Sequence, residues 1–366
     1  MTRREVPQPR SDPPLVLSVE TSCDETSAAV LSGDRSILGH IILSQQAHEV
    51  WGGVVPEIAA REHITVLDAV VGAALREAHV ELSDIDMFCA TAGPGLIGAL
   101  LVGLTWTKTA AYACGRPFVA VHHMEAHLFA AALDSPDAEP PFVALLVSGG
   151  HTMLLWVEAW GDYELLGQTR DDAAGEAFDK VARILGLGFP GGPAIEKAAL
   201  DGDPASHALP RPMLARNQRP EDPDYFDFSF SGLKTALLTR VSRLETDGGL
   251  SAERNNLAAS FQGAVVEVLA EKTARAARVL ECDRIVLGGG VAANRVLRVS
   301  LQNALGSRAV VHVPPLRLAT DNAAMVGAAG LFRFRTDGPA PLATTARAEL
   351  PFPGLKASRR TRAASC

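Results

Sequence analysis

A chain of 366 residues, 47% hydrophobic and 21% charged, has the length of two domains or one large one, and enough core to fold without disulfides or a structural metal. Its net charge of −8 argues against a protein that wraps nucleic acid unaided, because phosphate contacts need local positive charge. Five cysteines without a C-x-x-C pair, no apolar leader in residues 1–13 and no membrane-type apolar run argue against a disulfide-framed secreted protein and predict a soluble cytoplasmic one.

Residues 1–13 are predicted disordered. Leu15–Val19 is an apolar strand, Glu20–Glu25 a polar turn and Ser27–Leu31 a second apolar run, which together read as a hairpin. Helical apolar spacing covers Glu57–Val80, followed by a strand at Ile85–Cys89, a helix at Leu96–Cys114 and a strand at Pro117–Val121 that ends in His122-His123. A helix continues over Glu125–Leu133, and three prolines in Ser135–Pro141 mark a domain boundary. The second half repeats the opening plan: Phe142–Val147 apolar, Ser148–Thr152 a polar turn, Met153–Val157 apolar. Helices follow at Glu176–Leu185, Pro193–Leu200, Leu233–Leu244 and Ala252–Glu281. Ile285–Leu287 is a strand running into Gly288–Gly290, Ala292–Leu305 a helix, and Asp321 opens a last apolar helix to about Phe334. Alternating strands and helices predict α/β layers, and two halves with the same opening suggest a duplication.

His123 and His127 stand four apart where strand gives way to helix. At about 100° per residue both imidazoles share one face, the usual helical grip on a metal; the alternative is two histidines with ordinary hydrogen bonds. In the H-E-x-x-H metalloprotease pattern a glutamate activates water, but here Glu125 follows His123 by two residues and points away from that face. Asp321 is a candidate third ligand, or a helix-terminal charge. Gly93-Pro-Gly95-Leu-Ile-Gly98 matches G-x-G-x-x-G without the acidic residue a dinucleotide fold needs, which leaves an anion-facing helix start or close packing. Ser148-Gly149-Gly150, Gly191-Gly192 and Gly288–Gly290 are turns whose backbone N–H groups can cradle phosphate, and Asp179 lies in a helix between them. Arg211, Arg216 and Arg219, and Arg359, Arg360 and Arg362, form two basic clusters, either phosphate-facing or simply solvated.

Ten stretches in order then carry a resemblance: Ser18–Thr26, Gly52–Glu57, Gly93–Leu96, His122–His127, Val147–Thr152, Asp171–Lys180, Phe189–Pro193, Asp227–Lys234, Gly288–Asn294 and Ala319–Asn322. Together they resemble the tRNA N6-adenosine threonylcarbamoyltransferase family, bacterial branch, once taken for a glycoprotein endopeptidase. Departures are small: Ala60 and Glu62 precede His63, and Ala126 stands where glycine is frequent.

The resemblance implies an actin-like ATPase fold, shared with sugar kinases and Hsp70 chaperones, with two similar halves around a central cleft. The implied division is a first lobe over 14–138, a second over 139–320, a C-terminal helix over 321–350 returning to the first, and a tail over 351–366. It implies transfer of the threonylcarbamoyl group from threonylcarbamoyl-AMP to N6 of adenosine 37 in tRNAs that read codons beginning with A. One divalent metal, iron or zinc, would sit on His123, His127 and Asp321. Leu146, Val147, Ser148, Gly149, Gly150, Asp179, Gly192, Glu196 and Asn294 would hold the adenylate. Asp24 and Glu25 are the expected catalytic polar groups on the first hairpin. The implied partners are tRNA, a small paralogue without the metal site in a heterodimer, and a P-loop ATPase subunit. Two other classes remain open, a metal-dependent glycoprotein endopeptidase and a non-catalytic nucleotide-binding scaffold.

Overall fold

The computed structural model describes Pro9 and residues 13–356 except Arg216. The expected disordered extension over residues 1–13 lies almost wholly outside the described residues, as do Arg216 and the arginines at 359, 360 and 362.

The chain forms two compact units, one running to Pro136 and resuming over Pro314–Pro353, the other covering Asp137–Val313 and resuming at Gly354. In the first, β1 (Leu15–Glu20), β2 (Glu25–Ser32) and β3 (Ile37–Ser44) make an antiparallel meander. After α1 (Pro56–Glu77) comes β4 (Met87–Gly93), parallel to β1. After α2 (Ile97–Cys114) comes β5 (Phe118–His122), parallel to β4, and α3 (His123–Asp134) begins where β5 stops. The sheet order is β3-β2-β1-β4-β5.

The second unit repeats this plan. Strands β6 (Phe142–Val147), β7 (Thr152–Ala159) and β8 (Asp162–Gln168) form the meander. Helices α4 (Ala174–Ile184), α5 (Gly191–Ala199), α6 (Ser231–Thr246) and α7 (Leu250–Val279) intervene before β9 (Arg284–Gly288), parallel to β6. Helix α8 (Arg295–Leu305) then leads to β10 (Val310–His312), parallel to β9. The chain returns to the first unit through α9 (Leu316–Ala319) and α10 (Ala323–Asp337), and β11 (Leu355–Lys356) adds a strand beside β8. The second order, β10-β9-β6-β7-β8-β11, contains the first: three antiparallel strands followed by two parallel ones.

Strands β1, β4 and β6 are buried along almost their whole length, with α2 and α10 packed against β1 and β4 and α7 against β6. In the first unit α10 packs against β1, β2, β4 and β5 and is buried from Ala323 to Leu331. Its small residues allow close approach: a Cβ at Gly330 would lie 2.4 Å from Cys89 Sγ. No described helix is long and apolar enough to cross a membrane.

The third strand of each meander is absent from the sequence expectation. β3 is a half-exposed edge broken by Gly39, where a Cβ would lie 2.2 Å from the Ala74 carbonyl oxygen of α1. On the same strand burial, with the nearby Arg317 charge, pushes His40 down to about 4, and its Nε2 has no hydrogen-bond partner among the described residues. Because this pKa lies below the unfolded value of about 6.5, the group's contribution is complete above that pH and is lost as pH falls towards 4. The expected result is that His40→Gln loses less thermal stability than the parent between pH 7 and about 4.5, read as unfolding midpoints at each pH.

Candidate metal centre and its surroundings

Strand β5 ends at His122, whose Nδ1 accepts from the Glu125 N–H at 3.3 Å and so caps α3. That cap starts the helix at His123, so His123 and His127 share one face with their rings 4.8 Å apart at 84°. Both are buried. At the other end of the chain, Asn322 rather than Asp321 caps α10, its Oδ1 accepting from the Met325 N–H at 3.0 Å. Asn322 Nδ2 donates to the Leu318 and Thr320 carbonyls, which fixes the turn. Asp321 is thereby released from capping, and its Oδ1 lies 3.5 Å from His123 Nε2 and 3.2 Å from His127 Nε2.

These separations test the fit of an ion. Charge-assisted N–H···O contacts usually close to about 2.7–2.9 Å. Ligands about 2.1 Å from one metal stand roughly 3.0–3.4 Å apart in octahedral or tetrahedral geometry. The two Asp321–imidazole distances are closer to the second kind, and one ligand atom from each of the three residues lies within 4.8 Å of the others. Two imidazoles and a carboxylate fit iron(II) and zinc alike. Electrostatics agree: burial alone would raise the Asp321 carboxyl, but the His123 and His127 imidazoles hold it well below the usual range. Burial disfavours charge on His123, yet the Asp321 and Glu20 carboxylates raise it well above an ordinary histidine.

Glu20, the last residue of β1, received no role from the sequence. It is fully buried, with Oε2 3.2 Å from His123 Nδ1. The signal for it was an acid closing an otherwise buried apolar strand.

Asp24 and Glu25 follow on the same hairpin. Burial, and then the neighbouring Asp24 carboxyl, pushes Glu25 well above the carboxylate range, and Asp321 and Glu20 add to the effect. A directional chain of largely part-buried hydrogen bonds holds this turn. The Val55 N–H donates to His48 Nδ1, His48 Nε2 to Gln45 Oε1, and Gln45 Nε2 to His63 Nδ1. Thr26 Oγ1 also donates to His63 Nδ1, and His63 Nε2 donates to the Cys23 carbonyl at 2.8 Å. His63 Nδ1 thus accepts from a shared pair of donors while its Nε2 donates, and burial lowers the His63 pKa.

The glycine motif before α2 is close packing. Gly93 and Gly95 have φ of 151° and 158°, and added Cβ atoms would lie 2.2 Å from the Arg347 carbonyl oxygen and 2.7 Å from that of Ser22. The Leu96 N–H donates to the same Ser22 oxygen.

The expected adenylate residues all lie in the second unit. β6 and β9 are parallel and their pairing ends at Leu146 and Gly288, at the carboxyl ends where α/β sheets take ligands. Leu146 and Val147 are fully buried, so only their backbone can face a ligand. Gly149, Gly150, Gly192 and Gly290 border open space, and Gly175 packs against Ser148 and Gly149. Asp179 Oδ1 accepts from the Gly191 N–H at 2.8 Å, and Glu196 Oε1 from the Arg295 N–H at 2.9 Å. Asn294 caps α8 and donates to Gln262 Oε1. These three side chains therefore shape the glycine-lined rim.

Comparison with known proteins decides the family. Residues 36–328 match the model of the tRNA N6-adenosine threonylcarbamoyltransferase family. The curated enzyme of that name from Gemmatimonas aurantiaca is 54% identical over 348 residues, covering 93% of this chain and 98% of its own. That from Bordetella petrii is 50% identical over 326 residues, covering 88% and 91%. The chain belongs to this family. The transferase is an enzyme of tRNA modification that acylates N6 of adenosine. Its fold is the actin-like ATPase fold. The HypF structure from T. kodakarensis superposes with a TM-score of 0.57 at 14% identity, over 88% of this chain and 48% of that one. Component A of (R)-2-hydroxyglutaryl-CoA dehydratase from Acidaminococcus fermentans gives 0.51 at 14%, over 88% and 98%. The transferase cannot use Glu125 as a metallopeptidase would. That carboxylate is fully buried and receives Arg333 Nε at 2.8 Å and Nη2 at 2.5 Å, so it has no part in the metal set.

Proposed function

We propose that the transferase takes its acyl group from threonylcarbamoyl-AMP and delivers it to adenosine 37, beside the anticodon, in tRNAs that read codons beginning with A. The observation that carries this reading is the convergence of His123, His127 and Asp321, joined to the family membership. A divalent ion held there, iron or zinc, would supply Lewis acidity toward phosphate and carbamoyl oxygens. The N6 nitrogen forms a bond to the carbamoyl carbon while the bond from that carbon to the phosphate oxygen breaks and AMP leaves. The amine is a weak nucleophile and AMP a good leaving group, so alignment and charge stabilisation carry most of the rate. We assign the proton lost from N6 to the Asp24–Glu25 carboxyl pair, in which burial and the neighbouring Asp24 carboxyl raise the Glu25 pKa. Leu146, Val147, Ser148, Gly149, Gly150, Asp179, Gly192, Glu196 and Asn294 are assigned to the adenylate, in keeping with the open glycine turns beside them.

A net charge of −8 supports a tRNA surface completed by partners, a small paralogue without the metal residues and a P-loop ATPase subunit. Among the described residues Cys23, Cys89, Cys114 and Cys282 are free, which supports a reducing cytoplasm. The test is mass spectrometry of nucleosides from bulk tRNA after depletion of the protein and rescue with wild type or His127→Ala. Threonylcarbamoyladenosine falls on depletion and returns only with wild type. Recovery with both proteins removes the metal role, and an unchanged nucleoside removes the substrate assignment.

A further inference from the structure

We infer that Glu20 is a positioning residue of this centre, fixing His123 in the tautomer that carries hydrogen on Nδ1 and presents Nε2 to the ion. The inference rests on the metal reading above. It begins with how Glu20 is held. Its Oε1 accepts from the Ser22 N–H at 2.5 Å, and its Oε2 accepts from Thr91 Oγ1 at 2.6 Å. A backbone amide of the β1–β2 turn and a hydroxyl on β4 thus fix the carboxylate plane. The same Oε2 lies 3.2 Å from His123 Nδ1, which Ser22 Oγ also approaches at 3.2 Å.

An ionised carboxylate only accepts, so His123 Nδ1 must donate to it. In the neutral ring the lone pair is then on Nε2, which faces Asp321 Oδ1 at 3.5 Å. Two lone pairs turned toward one another call for a cation between them. A carboxylate behind a metal-bound imidazole sets both ring orientation and basicity. His127 has no such support: it is fully buried, and its Nδ1 has no hydrogen-bond partner among the described residues. Orientation by hydrogen bonding therefore falls on the Glu20–His123 pair.

Glutamine at position 20 cannot reproduce this. With its oxygen toward Ser22, its NH2 faces Nδ1 and favours the wrong tautomer. Flipped, its NH2 meets the Ser22 N–H. The experiment is competition of Zn2+ against a chromophoric chelator for purified wild type, Glu20→Gln and Thr91→Val, with circular dichroism and melting midpoints in chelator as fold controls. Glu20→Gln is expected to weaken zinc roughly 10–100-fold and Thr91→Val about several-fold, both with native spectra. Nitrogen-15 histidine spectra of the zinc-loaded wild type should show His123 protonated at Nδ1. Wild-type affinity in a folded Glu20→Gln, or an Nε2-protonated His123, overturns the inference. If Glu20→Gln does not fold, Thr91→Val decides: unchanged affinity overturns the inference, weaker binding supports it. A wild type that binds no zinc and no iron(II) removes the metal reading itself.

Discussion

Replacing Asp321 by Asn is expected to weaken zinc or iron(II) binding by about 100-fold or more and to lower threonylcarbamoyl transfer to tRNA by a similar factor. Asparagine keeps the volume but not the charge, and its amide brings N–H groups toward two imidazole nitrogens now 3.2 and 3.5 Å from the carboxylate. The fold should survive, because the cap of α10 belongs to Asn322. Metal content after purification and nucleoside analysis after reaction are the two measurements; full transfer by a protein without metal would defeat the assignment. The sign with pH follows from His123. In the metal-free protein its pKa is raised, so the stability it contributes is complete below about pH 6.5 and lost as pH rises through the folded value. Metal binding needs the deprotonated ring, so affinity should rise with pH over a range that starts higher than for an ordinary histidine.

The second large effect is structural. Arg333→Met should destabilise the protein by about 3–5 kcal/mol, because it strips a fully buried Glu125 of a two-pronged partner. Converting Glu125 to Gln in that background should recover part of the loss, since a neutral amide costs less to bury than a lone carboxylate. Urea unfolding of the two variants and the parent checks both statements. Equal stability of Arg333→Met and the parent would mean that Glu125 is satisfied by other groups.

How much of this was legible in the sequence varies with the range of the interaction. Apolar runs gave β1, β2, β6 and β7 because those strands are buried over most of their length, and the shared hairpin plan gave the duplication. β3 and β8 were illegible, being partly exposed outer strands of their meanders with mixed polarity. The two histidines were visible as an i, i+4 pair since one helix carries both. Asp321 lies 194 positions from His127, so no local spacing ties it to the pair: the residues alone left it a candidate ligand or a helix-terminal charge, and the resemblance chose between them. Glu20 lay inside a quoted motif yet gained no role, because its partners are Thr91 and His123 on other elements. The roles of Asn322 and Arg333 depend likewise on contacts that no local spacing encodes.

The first unit is assembled from two separated stretches of chain, and this bears on the order of its synthesis. α10, the helix packed against all five of its strands, is translated only after nearly the whole of the second unit. At about 5–20 residues per second, roughly 10–35 s pass between the emergence of Pro136 and that of Pro314 from the ribosome. During that interval the nascent first sheet has one apolar face uncovered and the histidine pair lacks Asp321. A chain that stalls or is clipped in the second unit therefore cannot complete the three-residue set, so metal retention separates finished molecules from fragments.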